Sequence, residues 1–287
     1  MYVMICPCIV DPSLRARGIT DSADIKFFES ALSRCTHFGI DTIILPCPET
    51  RYLGRDREPG TFLERLDTPE FSRLLEELVW EVKEIIEERG PPLGIIGVDS
   101  SPTCGVTRTY YGGSPPKRPG RGVFLEKFPE ILAFDVAQFA RWRVYLAAPL
   151  FSEAERVYNL QVRDLLNSHL FEVYLPQTVG DDTACRESSA HQRIYAKHLQ
   201  ALNRTDIVVA IIDGADADSG TAWEMGYASA LGLPVVALRT DFRIAGQHER
   251  VNLMLEQSST LVQRKEDLPD ALGSPLLSGN RDPFIEA

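Results

Sequence analysis

The chain has 287 residues, 44% of them hydrophobic and 25% charged, with a formal net charge of −11. That length and balance suit one large or two ordinary domains of a soluble globular protein. The negative excess argues against a nucleic-acid backbone as partner, because phosphate contacts need clustered Lys and Arg. No apolar run approaches a membrane span, and the start, MYVMICPCIVDP, is too short and lacks a basic leader for a signal peptide. A cytoplasmic protein is therefore expected, in which six cysteines read as reduced thiols or metal ligands rather than disulfides.

In chain order, Tyr2 to Cys6 predicts a first strand, and Asp21 to Phe38 a helix with Ile25, Phe28, Ala31 and Leu32 on one face. Thr42 to Leu45 predicts a second strand that ends at Pro46-Cys47-Pro48-Glu49. Thr50 to Thr68 reads as loop. Pro69 to Arg89 predicts a long helix, with proline in its first turn and Gly90 at its end. Leu93 to Val98 predicts a third strand, and the Gly-, Pro- and Arg-rich stretch Thr107 to Gly122 an ordered lid or mobile loop. This order predicts a small parallel α/β domain over residues 1–138. Pro129 to Arg141 reads as a helix or linker.

Residues 139–287 predict a second Rossmann-like layer, a parallel sheet flanked by helices. Its strands are read at Arg143 to Ala147, Phe171 to Leu175, Ile207 to Ile212 and Pro234 to Leu238. Ser152 with Glu155 three residues on predicts a capping box for the helix to Leu166. Further helices are read at Glu187 to Leu202, Ala222 to Leu231 and Arg250 to Glu256, and a loosely held tail from Ser274. No GxGxxG follows a strand, so NAD binding is not expected.

The stretch TDIVVAIIDGADADSGTAWEMGYASAL, Thr205 to Leu231, is the most informative. A buried parallel strand runs into a loop with Asp213, Asp216 and Asp218, then into a helix with Glu224 in its first turn. Ligands of open parallel sheets sit at the carboxyl ends of strands. The plain alternative is that these acids only cap the helix. DADSGTAWEMGYA, with Val144-Tyr145-Leu146-Ala147-Ala148-Pro149 upstream and Val251-Asn252-Leu253-Met254 downstream, resembles the nucleoside 2-deoxyribosyltransferase family. The resemblance implies Glu224 as a nucleophile that carries a covalent deoxyribosyl group, Asp218 as its partner on the sugar, and Tyr145 as a hydrogen-bond donor to the glutamate. It also implies that Asn252 reaches the sugar from a neighbouring subunit, hence a homo-oligomer. Gly220 belongs to the same motif. Phe151 follows a strand end and is a candidate for stacking on a base. His198 stands where better-studied members have an Asp thought to protonate the leaving base. It is a candidate donor, or simply a helix-surface histidine. Trp223 and Tyr227 read as core. With Asp216 and Asp218 in the loop and no Lys or Arg between Thr205 and Arg239, a free nucleoside is favoured over a nucleotide.

In the first half, Cys8, Cys47 and Cys104 each follow a predicted strand, so all emerge at one sheet edge. Three converging thiols suit a metal or iron–sulfur site; singly, each is a small buried hydrophobe. Cys6, Cys35 and Cys185 read as structural, with Cys6 close enough to Cys8 to compete as a ligand. PCIVDP, Cys47-Pro48-Glu49, Ser101-Pro102-Thr103-Cys104-Gly105 and Gly120 to Phe124 resemble the thiouracil desulfidase family. That resemblance implies a 4Fe-4S cluster on Cys8, Cys47 and Cys104, one iron free to take sulfur from a thiolated base, and Glu49 and Ser101 as candidates for proton handling. Together these expectations describe a nucleoside 2-deoxyribosyltransferase or deoxynucleoside hydrolase fused to a desulfidase-like domain, acting on deoxynucleosides and free nucleobases. The alternative is a nucleoside-binding or sensing protein without turnover, with a structural metal site in its first half.

Overall fold

The structure, a computed structural model, describes residues 1–179, 188–244 and 249–274. The chain forms two compact units, Met1–Arg141 and Trp142 onward. The division falls a little beyond residue 138 because Phe139 is part of the first core. Its ring is fully buried, its carbonyl accepts from the buried Arg34 at 2.9 Å, and that guanidinium lies 4.7 Å over the ring.

In the first unit the elements run β1 (Tyr2–Ile5), α1 (Pro7–Val10), α2 (Ser22–His37), β2 (Asp41–Ile44), α3 (Pro48–Leu53), α4 (Phe62–Arg65), α5 (Pro69–Arg89), β3 (Ile95–Gly97), β4 (Arg108–Tyr110), β5 (Lys117–Pro119), β6 (Ala133–Asp135) and α6 (Val136–Phe139). Four strands form a parallel sheet in the order β2-β1-β3-β6. α2 starts on a capping box between Asp21 and Asp24, and α5 on Thr68, whose hydroxyl accepts from Phe71 N, with Pro69 at its first position. Two expectations are corrected. The stretch from Thr50 to Thr68 is not all loop: α3 and α4 lie in or across it, each held by an N-cap, Cys47 and Thr61. Between Pro129 and Arg141 lies a fourth strand, β6, too short to show a period of its own. The Gly- and Pro-rich stretch before it is ordered as the antiparallel ribbon β4-β5.

The second unit runs β7 (Arg143–Ala147), α7 (Glu153–Ser168), β8 (Glu172–Tyr174), α8 (Ser188–Leu202), β9 (Ile207–Ile211), α9 (Ser219–Ala230), β10 (Val235–Leu238), α10 (Leu253–Gln257), β11 (Thr260–Val262) and α11 (Leu268–Ala271). All five strands are parallel, in the order β11-β10-β9-β7-β8. β11 and α11 are additions to the sequence reading, which saw only rising Pro, Gly and polar content there. Beyond residue 274 the expected tail lies outside the described residues, as does Cys185.

Alternation along the strands divides the second unit's apolar residues between two cores. Val144, Leu146, Val209, Ile211 and Leu238 lie on one face with Val162 and Leu166 of α7. Tyr145, Ala147, Val208, Ala210 and Ala237 lie on the other, with Leu202 of α8 and Met225 and Ala228 of α9. Tyr145 is thereby committed to the face that α9 covers. At the amino ends of the strands Asp206 clasps β7: one carboxylate oxygen accepts from Arg143 N and Nε, both at 3.0 Å, and the other from Arg143 Nη2 at 2.8 Å. No helix among the described residues is long and apolar enough to cross a membrane.

Phe171, 1% exposed, packs in the first of these cores. Phe171→Ala is expected to cost about 3–5 kcal/mol, read as a lower urea midpoint for the second unit at unchanged m-value. A loss under ~1 kcal/mol would contradict a close-packed site there.

Candidate active site

In the second unit the strand order reverses direction between β7 and β9, the place where open parallel sheets bind ligands beyond their carboxyl ends. Tyr145 comes from β7, Asp218 from the segment after β9, and Glu224 from α9. Thr221, Met225 and Ala228 bury one side of α9 against the sheet. Glu224, one residue before Met225, is carried alongside that contact and reaches Tyr145. The Tyr145 hydroxyl donates to Glu224 Oε1 at 2.5 Å. Tyr145 is fully buried and Glu224 half-buried. Among the described residues Glu224 has no ion pair.

Burial pushes the Glu224 carboxyl up to about 7; the Tyr145 hydrogen bond opposes that shift and the Asp218 charge adds to it. The same neighbourhood raises Tyr145, by burial first and then by the Glu224 charge. Asp218 is the N-cap of α9, accepting from Thr221 N at 3.0 Å. It thus caps the helix and also acts electrostatically on Glu224. With the cap at Asp218, Glu224 falls in the second turn of α9, not the first. The helix dipole acts mainly within the first turn, so burial and not the dipole governs this carboxyl.

Tyr174 was not singled out by the sequence. In the β7–β8 register it stands opposite Tyr145, and the rings stack with centroids 5.3 Å apart. Its hydroxyl pairs with His198 Nδ1 at 2.9 Å. Burial holds His198 below the usual imidazole range, with the Lys197 charge acting the same way. His198 is therefore linked to Glu224 through the two tyrosines. The signal available in the sequence was a second tyrosine at the strand end beside β7.

The remaining expectations fall as follows. Phe151 is 75% exposed just beyond β7. Gly220 sits where an added Cβ would come within 3.0 Å of Asp218 Oδ2. Asn252 caps α10, accepting from Met254 N at 3.0 Å. Trp223 is not core: it is 48% exposed, its ring stacked on Tyr227 at 5.3 Å on the outer side of α9.

In the first unit, Cys6, Cys8, Cys47 and Cys104 line one cavity of about 590 Å³, together with Glu49, Arg57, Ser101 and Thr103. Cys6, read as structural, is thus a fourth thiol at the same place, and the neighbouring Cys104 and burial raise it. Burial raises the Cys8 and Cys47 thiols. Cys47 caps α3, its sulfur accepting from Thr50 N at 3.4 Å. Glu49 is engaged on both oxygens, by Ser101 Oγ at 3.1 Å and Thr103 Oγ1 at 2.9 Å on one and Arg57 Nη2 at 3.4 Å on the other. Among the described residues no three His, Cys, Asp or Glu side chains are grouped so as to hold a metal ion.

The second unit is a parallel α/β domain with a half-buried, tyrosine-held carboxylate at its strand-order reversal. Residues 144–262 match the family described as nucleoside 2-deoxyribosyltransferase, so the second unit carries a domain of that family. An uncharacterized protein of Ureaplasma parvum is 30% identical over 129 residues, 40% of this chain and 78% of that protein. Among solved structures, a conserved protein from Enterococcus faecalis is 29% identical over 46% of this chain and 97% of its own, with a TM-score of 0.40. A 2-deoxyribosyltransferase from Bacillus psychrosaccharolyticus is 25% identical over 44% and 89%, with a TM-score of 0.39. The family match lies wholly within the second unit.

Because Glu224 is raised in the folded chain, the folded state binds its proton more tightly than the unfolded state does. Its contribution is full below the ordinary glutamate range and is lost as pH rises through about 7. Glu224→Gln is therefore expected to flatten the decline of second-unit stability between pH 5 and 8 by roughly 2.5 kcal/mol, measured by urea unfolding at both pH values. An identical slope in the variant would contradict the raised carboxyl.

Proposed function

We propose that the second unit cleaves the bond between a base and 2-deoxyribose through a covalent deoxyribosyl–Glu224 ester, passing the sugar to another base or to water. The observation that carries this is the hydrogen bond from Tyr145 to a half-buried Glu224 that has no salt-bridge partner among the described residues. Breaking such a bond builds oxocarbenium character at the sugar carbon. The carboxylate attacks that carbon, the carbon–nitrogen bond breaks, and its electron pair leaves with the base, which takes a proton. Acceptor base or water then displaces the ester and regenerates Glu224. Tyr145 orients the carboxylate, and Asp218 meets the sugar hydroxyls. His198, paired with Tyr174, is the candidate source of the base's proton. Phe151, exposed beyond β7, would stack on a base, and Asn252 would complete a neighbouring subunit's site in a homo-oligomer. Free nucleosides fit better than nucleotides, since Asp216 and Asp218 would repel a phosphate.

For the first unit we propose an iron–sulfur group held by Cys8, Cys47 and Cys104. The donor set suits it: thiols from three segments line one cavity, and a cluster spreads its thiolates over several irons rather than converging them on one ion. Bound, the group would supply a Lewis-acidic iron for a thiolated base. Ser101 and Thr103, both hydrogen-bonded to Glu49, would carry protons beside it. A common pathway would then join the two units, the second releasing a thiolated base and the first removing its sulfur.

Incubation of the anaerobically purified chain with deoxynucleosides, with and without an acceptor base, is expected to give free base or exchanged nucleoside. Glu224→Ala should reduce this by at least a thousandfold. Equal turnover in the variant would end the covalent mechanism. Iron and acid-labile sulfide analysis, with sulfide release from 2-thiouracil, tests the first unit separately; a chain with zinc or no metal would end that half of the reading.

A further inference from the structure

The loop that delivers Asp218 to α9 is held by a residue that neither the motif nor the proposed chemistry includes. Arg239, at the carboxyl end of β10, is 5% exposed. Its Nη1 donates to Ile212 O at 2.6 Å, and its Nη2 to Gly214 O at 3.2 Å and to Arg243 O at 3.0 Å. Its Nε has no partner. Bonds also run the other way: Asp213 accepts from Thr240 N at 2.6 Å and Asp241 N at 2.8 Å, and Asp241 accepts from Gly214 N at 3.1 Å. The segments after β9 and β10 are thus sewn into one body, with a guanidinium beneath them reaching three carbonyls at once. A lysine, with a single ammonium head, has no such fork. From Gly214 four residues lead to Asp218, and from that cap α9 carries Glu224.

We infer that Arg239 is a positioning residue for the carboxylate pair: by fixing residues 212–214 it sets where Asp218 stands relative to Glu224. This rests on the proposed role of that pair, but its test does not require turnover. Among the described residues the charged and titratable groups that face Glu224 are Tyr145 from β7, Tyr174 from β8 with His198 behind it, and Asp218 from the cap of α9 itself. Around Arg239 stand Asp213, Asp241 and Arg243. Of these, Asp218 is the one that both acts on Glu224 and lies on the loop that Arg239 holds.

The experiment is a carboxyl NMR titration of Glu224, its signal assigned by loss in Glu224→Gln, in wild type, Arg239→Met, Arg239→Lys, Asp218→Asn and the Arg239→Met/Asp218→Asn double variant. Arg239→Met is expected to move the Glu224 midpoint to lower pH, because Asp218 no longer stands fixed beside it. Arg239→Lys should restore the midpoint only in part. In the Asp218→Asn background Arg239→Met should add no further shift, the non-additivity expected of residues acting through one another. Where turnover is seen, kcat should fall ten- to hundredfold with KM little changed. A variant that melts lower but titrates as wild type, or a shift that persists undiminished in the double variant, overturns the inference. If the wild type turns over no deoxynucleoside while these shifts appear, the proposed chemistry fails and the positioning role stands.

Discussion

A phenol hydroxyl donating to a half-buried carboxyl is the interaction on which the second unit's candidate site turns. Burial favours the protonated form of Glu224; the hydrogen bond from Tyr145 favours the charged form and opposes that shift. The pairing exists because strand alternation sends Tyr145 to the α9 face, while the contacts of Thr221, Met225 and Ala228 fix how α9 lies on the sheet. Packing thus determines the geometry, and the geometry sets the proton affinity.

The two units solve the placement problem alike. In each, the second strand in sequence lies outside the first and the third lies on the first's other side, so the order reverses between first and third. In the second unit the tyrosine and the acids emerge at that reversal. In the first unit Cys6 and Cys8 follow β1 and Cys104 follows β3, flanking the corresponding position, with Cys47 arriving from the strand on β1's other edge. Parallel strands bring residues distant in sequence to one rim, which is why motifs scattered along the chain can act together.

Much of this was legible beforehand, for identifiable reasons. The strand Ile207–Ile211 lies in an unbroken apolar run rich in β-branched residues, and the Ser152–Glu155 capping box has a local signature that both hydrogen bonds fulfil. Tyr145, Asp218 and Glu224 were found through a motif whose residues do lie together. What stayed hidden depends on tertiary pairing. Tyr174 matters only through its register with Tyr145, and Arg239 only through carbonyls on another loop. β6 and β11 are three residues each, too short for periodicity to separate from loop. Trp223, which lies outside the core, was not legible because α9 mixes small, polar and apolar residues with no clear apolar stripe to read from the sequence.

The Asp206 clasp on Arg143 lies at the amino ends of β7 and β9, the far rim from Glu224. The clasp and the candidate site therefore lie toward opposite ends of the same sheet. Substitutions at Arg143 or Asp206 therefore probe how firmly the sheet is tied together without altering a residue of the candidate site.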